Sequence, residues 1–459
     1  MKKPVIVESL LKNAAPWRIV LFSFFLRLGF LLLVCLKAES LNVFTRSDTP
    51  PYLTLARELL SSGSFTNGLT PEVFRTPAYP VFLIPGLISG HVEIVTALIQ
   101  IVLSSLTVYL VFKTALIIFE DETAARAASI LYAFEQLSIV YSLILLTETL
   151  FTFTLMWFLF YVVKLLKTPS VRYAVAAGIF VAVCSYIRPV SLYLSTATVI
   201  FLGIYLLFLK NRQERKRLFI NTILLLLISL SLTGLWQLRN FKETGYSQFS
   251  SVSDFNLYFY HRVSIMSKNE KLPFYQVQYA EEKKFQHIVK ELGFIGSLAY
   301  MHKEALNVIE ENAAIFAVTY IKGIAAVLLS PGATEYAQLL SYKGKTDIFD
   351  GTLDSSFLQV FKEALLQAPL LFTLNVLFGL LLVLYYLLMA MAAINIKKTD
   401  PANLFMFLIL AYFLLLSGGV TGYGRFRHPV MPVVSILGGY GVALILAKVT
   451  RIKISKPLK

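Results

Sequence analysis

Charge is scarce in this chain. Only 15% of its 459 residues are Asp, Glu, Lys or Arg while 57% are hydrophobic, against about 25% and 45–50% in soluble domains. A water-soluble enzyme is thereby excluded. Cysteine is scarcer still: Cys35 and Cys184 both lie inside apolar runs, so no disulfide framework exists and both read as packing residues. The five histidines, His91, His261, His287, His302 and His428, lack the close spacing of metal-binding pairs, and neither a metal nor another cofactor is expected. Acidic residues are outnumbered 27 to 42, a formal charge of +15. In a soluble chain that excess would raise nucleic acid as a partner. Here the bases sit in short connections between hydrophobic runs, the pattern of an orientation signal that also attracts anionic headgroups, so membrane lipids are the partners expected and nucleic acid is not. Internal repeats and paired broken helices of the transporter kind are also missing.

What remains is long apolar runs. Leu370 to Ile394, Leu404 to Thr421 and Val430 to Ala447 are each long enough to cross a hydrocarbon core, which takes roughly 20 helical residues. The pattern predicts an all-α polytopic transmembrane bundle of about ten spans, at 17–38, 92–118, 127–146, 148–167, 173–189, 190–209, 218–238, 370–394, 403–421 and 429–447, with extracytoplasmic loops and interfacial helices. An even count puts both termini on one side. It also gathers there Lys2, Lys3 and Lys12, then Lys164, Lys167 and Arg172, the run Lys210 to Arg217, Lys397 and Lys398, and Lys448 to Lys459. The positive-inside rule makes that side cytoplasmic. Ala313 to Ser330 carries Lys322, and a crossing there would break the charge pattern, so an interfacial or partly inserted helix is expected. Tyr79 to Gly90 is too short to cross and reads as a surface or re-entrant segment. The first run is too long for a signal-peptide core and reads as an anchor. Three parts follow: an N-terminal membrane module over 1–238 with its first outer loop at 39–91, an extracytoplasmic loop region over 239–369 with an interfacial helix, whose segment 239–312 reads as a small helical cap, and C-terminal spans with a basic tail over 370–459.

Since the cytoplasmic connections are short, function faces outward, on a multi-pass protein of the cytoplasmic (inner) membrane. The first loop contains Ser47-Asp48-Thr49-Pro50-Pro51-Tyr52, then Gly63-Ser64-Phe65, then Arg75-Thr76-Pro77-Ala78-Tyr79-Pro80. Taken alone, Asp48 reads as the cap of a helix beginning at Pro50. Taken with Tyr52-x-x-x-Ala56-Arg57 and Arg75-x-Pro77-x-Tyr79-Pro80, it resembles the first outer loop of the C-type membrane glycosyltransferases, such as protein mannosyltransferases and lipid A aminoarabinose transferases. The resemblance continues at Leu146-Thr147-Glu148, Ile187-Arg188-Pro189, Trp236-Gln237-Leu238-Arg239-Asn240 and Arg425-Phe426-Arg427-His428-Pro429. Many relatives carry an acid just before the last of these motifs, where this chain has Gly424.

The resemblance implies a polyprenyl-phosphate sugar donor, an acceptor that is lipid, glycan or protein, and Asp48 as the catalytic aspartate. Such a transfer needs a base, cations for the departing phosphate and an apolar groove for the prenyl tail. Asp48 is the candidate base, its pKa expected to rise through partial burial. Arg75, Arg188, Arg239, Arg425 and Arg427 are the candidate phosphate-holding set, Arg75 and Arg425 foremost. Glu148 is the candidate orienting acid, whereas Glu135 is expected to pair structurally with an arginine such as Arg27. Tyr52 and Tyr79 are candidate substrate contacts, and His428 adjoins the last arginine motif. Single displacement with inversion is the expected course, because phosphate leaves without strong acid assistance. Two rivals belong to other classes: a lipid-linked sugar flippase, with polar residues lining both membrane halves, and a non-catalytic cell-envelope subunit whose arginines hold headgroups. Both predict indifference to the loss of Asp48.

Overall fold

Apolar runs that find no water for their backbone must close its hydrogen bonds internally, and helices result. The structure is a computed structural model and describes residues 15–68, 70–342, 365–397 and 399–455. Lys2, Lys3, Lys12, Lys398 and the last residues of the basic tail lie outside them. The helices in order are α1 (Pro16–Lys37), α2 (Thr49–Ser62), α3 (Ala78–Ile88), α4 (Val92–Phe119), α5 (Glu122–Ala133), α6 (Gln136–Tyr141), α7 (Glu148–Lys167), α8 (Val171–Ile187), α9 (Leu194–Phe208) and α10 (Arg212–Thr244). After short turns at Val252–Asn256, Leu257–Arg262 and Val263–Glu270 come α11 (Phe274–Glu311), α12 (Ala313–Leu329), α13 (Ala333–Leu339), α14 (Pro369–Asn395), α15 (Pro401–Leu416) and α16 (Met431–Ser455). Proline fits the first turn, where its missing N–H has no role, and it opens α1, α14 and α15. Asn211 and Asp400 accept first-turn N–H bonds at α10 and α15.

Among the described residues seven helical stretches are long and apolar enough to cross a membrane: α1, α4, α7, 189–208, α10, α14 and 424–449. There are eight if α11 and α12, which meet at 99°, form one broken span. The protein is a multi-pass membrane protein. The count of about ten includes α8 and α15, apolar but only 17 and 16 residues long. It also includes 127–146, which is interrupted. There Glu135 turns the chain between α5 and α6 by accepting the N–H groups of Leu137 at 3.1 Å and Ser138 at 2.5 Å. The expected Glu135–Arg27 pairing is therefore replaced: the guanidinium of buried Arg27 donates to Ser104 Oγ at 2.9 Å, Ser138 Oγ at 2.7 Å and Ala133 O at 3.2 Å. Both groups are satisfied by neutral partners, which an apolar interior demands of a buried charge.

A continuous apolar core joins α4, α5, α7, α8, α15 and α16 through residues such as Phe151, Phe158, Phe405 and Met431. Gly439 lets α16 meet α5 backbone to backbone, since a Cβ there would lie 2.5 Å from Ala124 O. The two ends of this bundle differ. At one, Lys167 Nζ binds Asp400 Oδ2 at 2.8 Å, joining the α7–α8 and α14–α15 connections. A hollow of about 280 Å³ beside it is lined by Lys167, Tyr205, Glu214 and Asp400. At the other, some 30 Å away along the 20 residues of α7, lie the first long loop and the arginine motifs.

Candidate functional site

Asp48 occupies the N-cap position of α2, yet its backbone is helical and its side chain makes no capping bond. The capping expectation fails because the carboxylate is engaged elsewhere. Oδ2 accepts from Arg425 Nη1 at 2.8 Å and Oδ1 from Arg75 Nη2 at 3.4 Å. Its position is set by the neighbouring Thr49, whose hydroxyl donates to Leu145 O at 2.9 Å and accepts the Arg46 N–H. Leu145 N in turn donates to Phe44 O at 2.8 Å, so the turn following α6 holds both flanks of the Asp48 loop. The interruption of the expected third span is what creates this anchor.

From Arg425 the charges continue inward. Its Nε donates to Glu148 Oε1, which also accepts Arg188 Nη1 at 3.0 Å. Glu148 starts α7 and is fully buried; Arg188 ends α8. The resulting order is Arg75, Asp48, Arg425, Glu148, Arg188: three guanidiniums alternating with two carboxylates, leaving one net positive charge. Aromatic faces steer the cations, with Arg75 4.4 Å above the Tyr52 ring and Arg188 flanked by Phe151 and Phe426. Of the five side chains Asp48 is the most open, 40% exposed against 0% for Glu148.

Partial burial alone would raise the Asp48 pKa, but Arg425 and then Arg75 outweigh it and hold the carboxyl below its ordinary value. The expected upward shift is thus reversed, because two cations share one carboxylate. A depressed folded pKa stabilises the fold above the unfolded value of about 3.9, and that contribution fades as pH falls through the folded pKa. Asp48 is therefore ionised throughout the neutral range.

Not every candidate joins the cluster. Arg239 donates to the backbone carbonyls of Phe65 at 2.7 Å and Glu72 at 2.6 Å, and lies over Trp236, pinning the first loop from outside. Arg427 is buried, and its Nη1 caps the end of α12 through Val327 O and Ser330 O. Tyr79 is buried with its hydroxyl on Gln100 at 3.2 Å, and its ring edge meets Tyr52 at 5.1 Å. His428 is buried against Thr152 Oγ1 at 2.9 Å and the Tyr141 ring. Sequence reading missed Arg46, Tyr141, Glu335 and Tyr423. Glu335 on α13 accepts Arg46 Nε at 3.0 Å and Tyr141 OH at 3.1 Å, while Arg425 Nη1 donates to Tyr423 OH at 3.2 Å. No local signal marks Glu335, which lies 289 residues from Arg46. Among the described residues no three His, Cys, Asp or Glu side chains are grouped to hold a metal ion.

A family model described as dolichyl-phosphate-mannose-protein mannosyltransferase matches residues 81–236, about a third of the chain. The archaeal oligosaccharyltransferase AglB of Archaeoglobus fulgidus, solved with an inhibitory peptide and a dolichol-phosphate, superposes over 98% of this chain at a TM-score of 0.54 and 13% identity. The chain has the GT-C fold. The same oligosaccharyltransferase in its apo form gives a TM-score of 0.53 at 14% identity, again over 98% of this chain. ArnT of Cupriavidus metallidurans bound to undecaprenyl phosphate covers 94% of this chain and 78% of its own, at a TM-score of 0.41 and 14% identity. The GT-C chain described here spans about half the length of the oligosaccharyltransferase, 53%. No curated protein matches its sequence.

Proposed function

We propose that the protein is a glycosyltransferase that moves a sugar from a polyprenyl-phosphate donor to a lipid, glycan or protein acceptor at the outer face of the cytoplasmic membrane. The observation that carries this reading is the alternating chain of Arg75, Asp48, Arg425, Glu148 and Arg188 at the end of the bundle opposite its basic connections. The mannosyltransferase family match and the dolichol-phosphate in the AglB complex support a lipid-phosphate ligand. Arg75 and Arg425 are the phosphate-holding pair, Arg188 the third cation, and Glu148 the acid that orients Arg425 and Arg188. Arg239 and Arg427 act indirectly, by fixing the first loop and the end of α12.

In the free protein Asp48 is tied to both phosphate-holding arginines. A donor phosphate competes for those guanidiniums through bidentate hydrogen bonds, and the released carboxylate becomes more basic. It takes the proton from the attacking hydroxyl or amine as that atom bonds to the anomeric carbon. The bond from that carbon to the phosphate oxygen breaks with inversion, and the electron pair leaves on a phosphate whose charge Arg75 and Arg425 stabilise. The test is to supply purified protein with labelled polyprenyl-phosphate sugars and measure release of polyprenyl phosphate in the presence of mixed acceptors. Release is expected for at least one donor and is expected to fall with Arg425→Gln. Silence with every donor would count against transfer and in favour of a flippase or scaffold.

The exchange makes a kinetic prediction. Because it is Arg425 and Arg75 that lower the Asp48 pKa, and a bound phosphate would draw both away, the acid limb of kcat/KM is expected at lower pH than the acid limb of kcat, since these report the free and donor-bound enzyme respectively. Coincident limbs would contradict the exchange. A second prediction concerns Gly323 on α12, where an added Cβ would lie 2.0 Å from Gly419 O and 2.3 Å from Gly419 N. Gly323→Val must push away the loop that leads into Tyr423 and Arg425. Displacing a catalytic group by about 1 Å costs on the order of 10²-fold, so turnover is expected to fall that far with helix content unchanged by circular dichroism.

A further inference from the structure

The basic end of the bundle carries a second group of cations, unpaired among the described residues. Along α10, Arg212, Arg215, Lys216 and Phe219 recur at the spacing that places side chains on one helix face. That face, with Leu206 and Leu207 of α9, lines a groove of about 520 Å³. The three bases are exposed and have no ion-pair partner among the described residues. The nearby acid, Glu214, turns instead to the neighbouring hollow with Lys167 and Asp400. Leu207 and Phe219 are exposed beside the bases, and the apolar face continues through exposed Ile223, Leu227 and Leu230. From Phe219 to Leu230 the helix rises about 16 Å, close to half of a hydrocarbon core of about 30 Å. Three cations thus stand at the head of an apolar stripe one leaflet long.

We propose that this groove binds one anionic phospholipid, its phosphate held by Arg212, Arg215 and Lys216 and an acyl chain laid along Phe219, Ile223, Leu227 and Leu230. A free phosphate would use the cations and leave the stripe idle. General attraction to a charged surface would not depend on which bases are removed. The proposal stands apart from the sugar-transfer reading, because its residues lie at the opposite end of α7 from Asp48 and its readout is lipid retention.

The experiment titrates purified full-length protein in neutral detergent with phosphatidylglycerol or phosphatidylcholine and counts bound lipid by native mass spectrometry. One saturable phosphatidylglycerol is expected, with phosphatidylcholine at least about tenfold weaker. Each surface cation is worth roughly fivefold toward an anionic lipid, so the combined Arg212→Gln, Arg215→Gln and Lys216→Gln change is expected to weaken phosphatidylglycerol by about a hundredfold. The single changes Arg212→Gln and Arg215→Gln, milder for folding, are expected to cost about fivefold each. Lys210→Gln with Arg217→Gln, off the groove, is expected to leave affinity unchanged; an equal loss there would mean diffuse attraction and overturn the site. Displacement of the lipid by inorganic phosphate would overturn the role of the apolar stripe, and unaltered retention by the groove variants would overturn the proposal outright.

Discussion

Asp48→Asn is expected to lower donor turnover by about 10²–10⁴-fold, the range a positioned base supplies, with little change in stability. Asparagine is nearly isosteric, and its single oxygen can keep the 2.8 Å bond from Arg425 while its amide replaces the oxygen that made only the long 3.4 Å contact with Arg75. Asp48 is also 40% exposed, where an ion pair contributes about 0–1 kcal/mol. Removing its charge leaves the cluster more positive and the arginines less occupied, so the donor KM is expected to hold steady or fall while kcat collapses. That split separates a reacting carboxylate from a merely structural one, whose loss would raise KM or unfold the protein. It is measured as release of polyprenyl phosphate over a range of labelled donor concentrations. Turnover equal to that of the unsubstituted protein would remove the mechanism.

Much of this molecule was legible in its sequence because lipid leaves few alternatives. Composition and run length are enough to require a helical multi-pass bundle, and α7 or α14 falls within a few residues of its expected place. The motifs around Asp48, Arg75, Glu148, Arg188 and Arg425 stand at helix ends or in the first loop, where side chains reach a common rim, and these five meet. What composition conceals is the identity of a partner. Arg239 and Arg425 look alike as arginines at the outer ends of apolar runs, yet one binds carbonyls of residues 65 and 72 and the other binds carboxylates at 48 and 148. Long-range packing makes that choice. Glu135 shows the same limit within a helix: an acid inside an apolar run suggests an ion pair, whereas two backbone N–H groups satisfy it and break the span. The Asp48 pKa was missed in sign for a related reason, since burial is visible in sequence and a pair of approaching guanidiniums is not.

Glu148→Gln is expected to be the most damaging single change for stability, despite removing the same charge as Asp48→Asn. Glu148 is 0% exposed and holds both Arg188 and Arg425 through one oxygen. Breaking a buried ion pair from one side leaves the other charge without compensation and costs about 3–5 kcal/mol. Glutamine can still accept both bonds on its remaining oxygen, but it carries no negative charge, so two guanidiniums lose the buried carboxylate that compensates them. Arg425 would retain Asp48 and draw toward it, while Arg188, flanked by Phe151 and Phe426, would keep no carboxylate. Turnover is expected to fall along with stability, because the arginines lose the group that aligns them with a donor phosphate. The measurement is the unfolding midpoint in detergent for Glu148→Gln, Glu148→Asp and Asp48→Asn side by side. Glu148→Asp, which keeps the charge on a shorter arm, is expected to recover part of the loss. If Glu148→Gln proved no less stable than Asp48→Asn, the buried carboxylate would not be the keystone of the cluster, and its alternating charges would have to be held by packing alone.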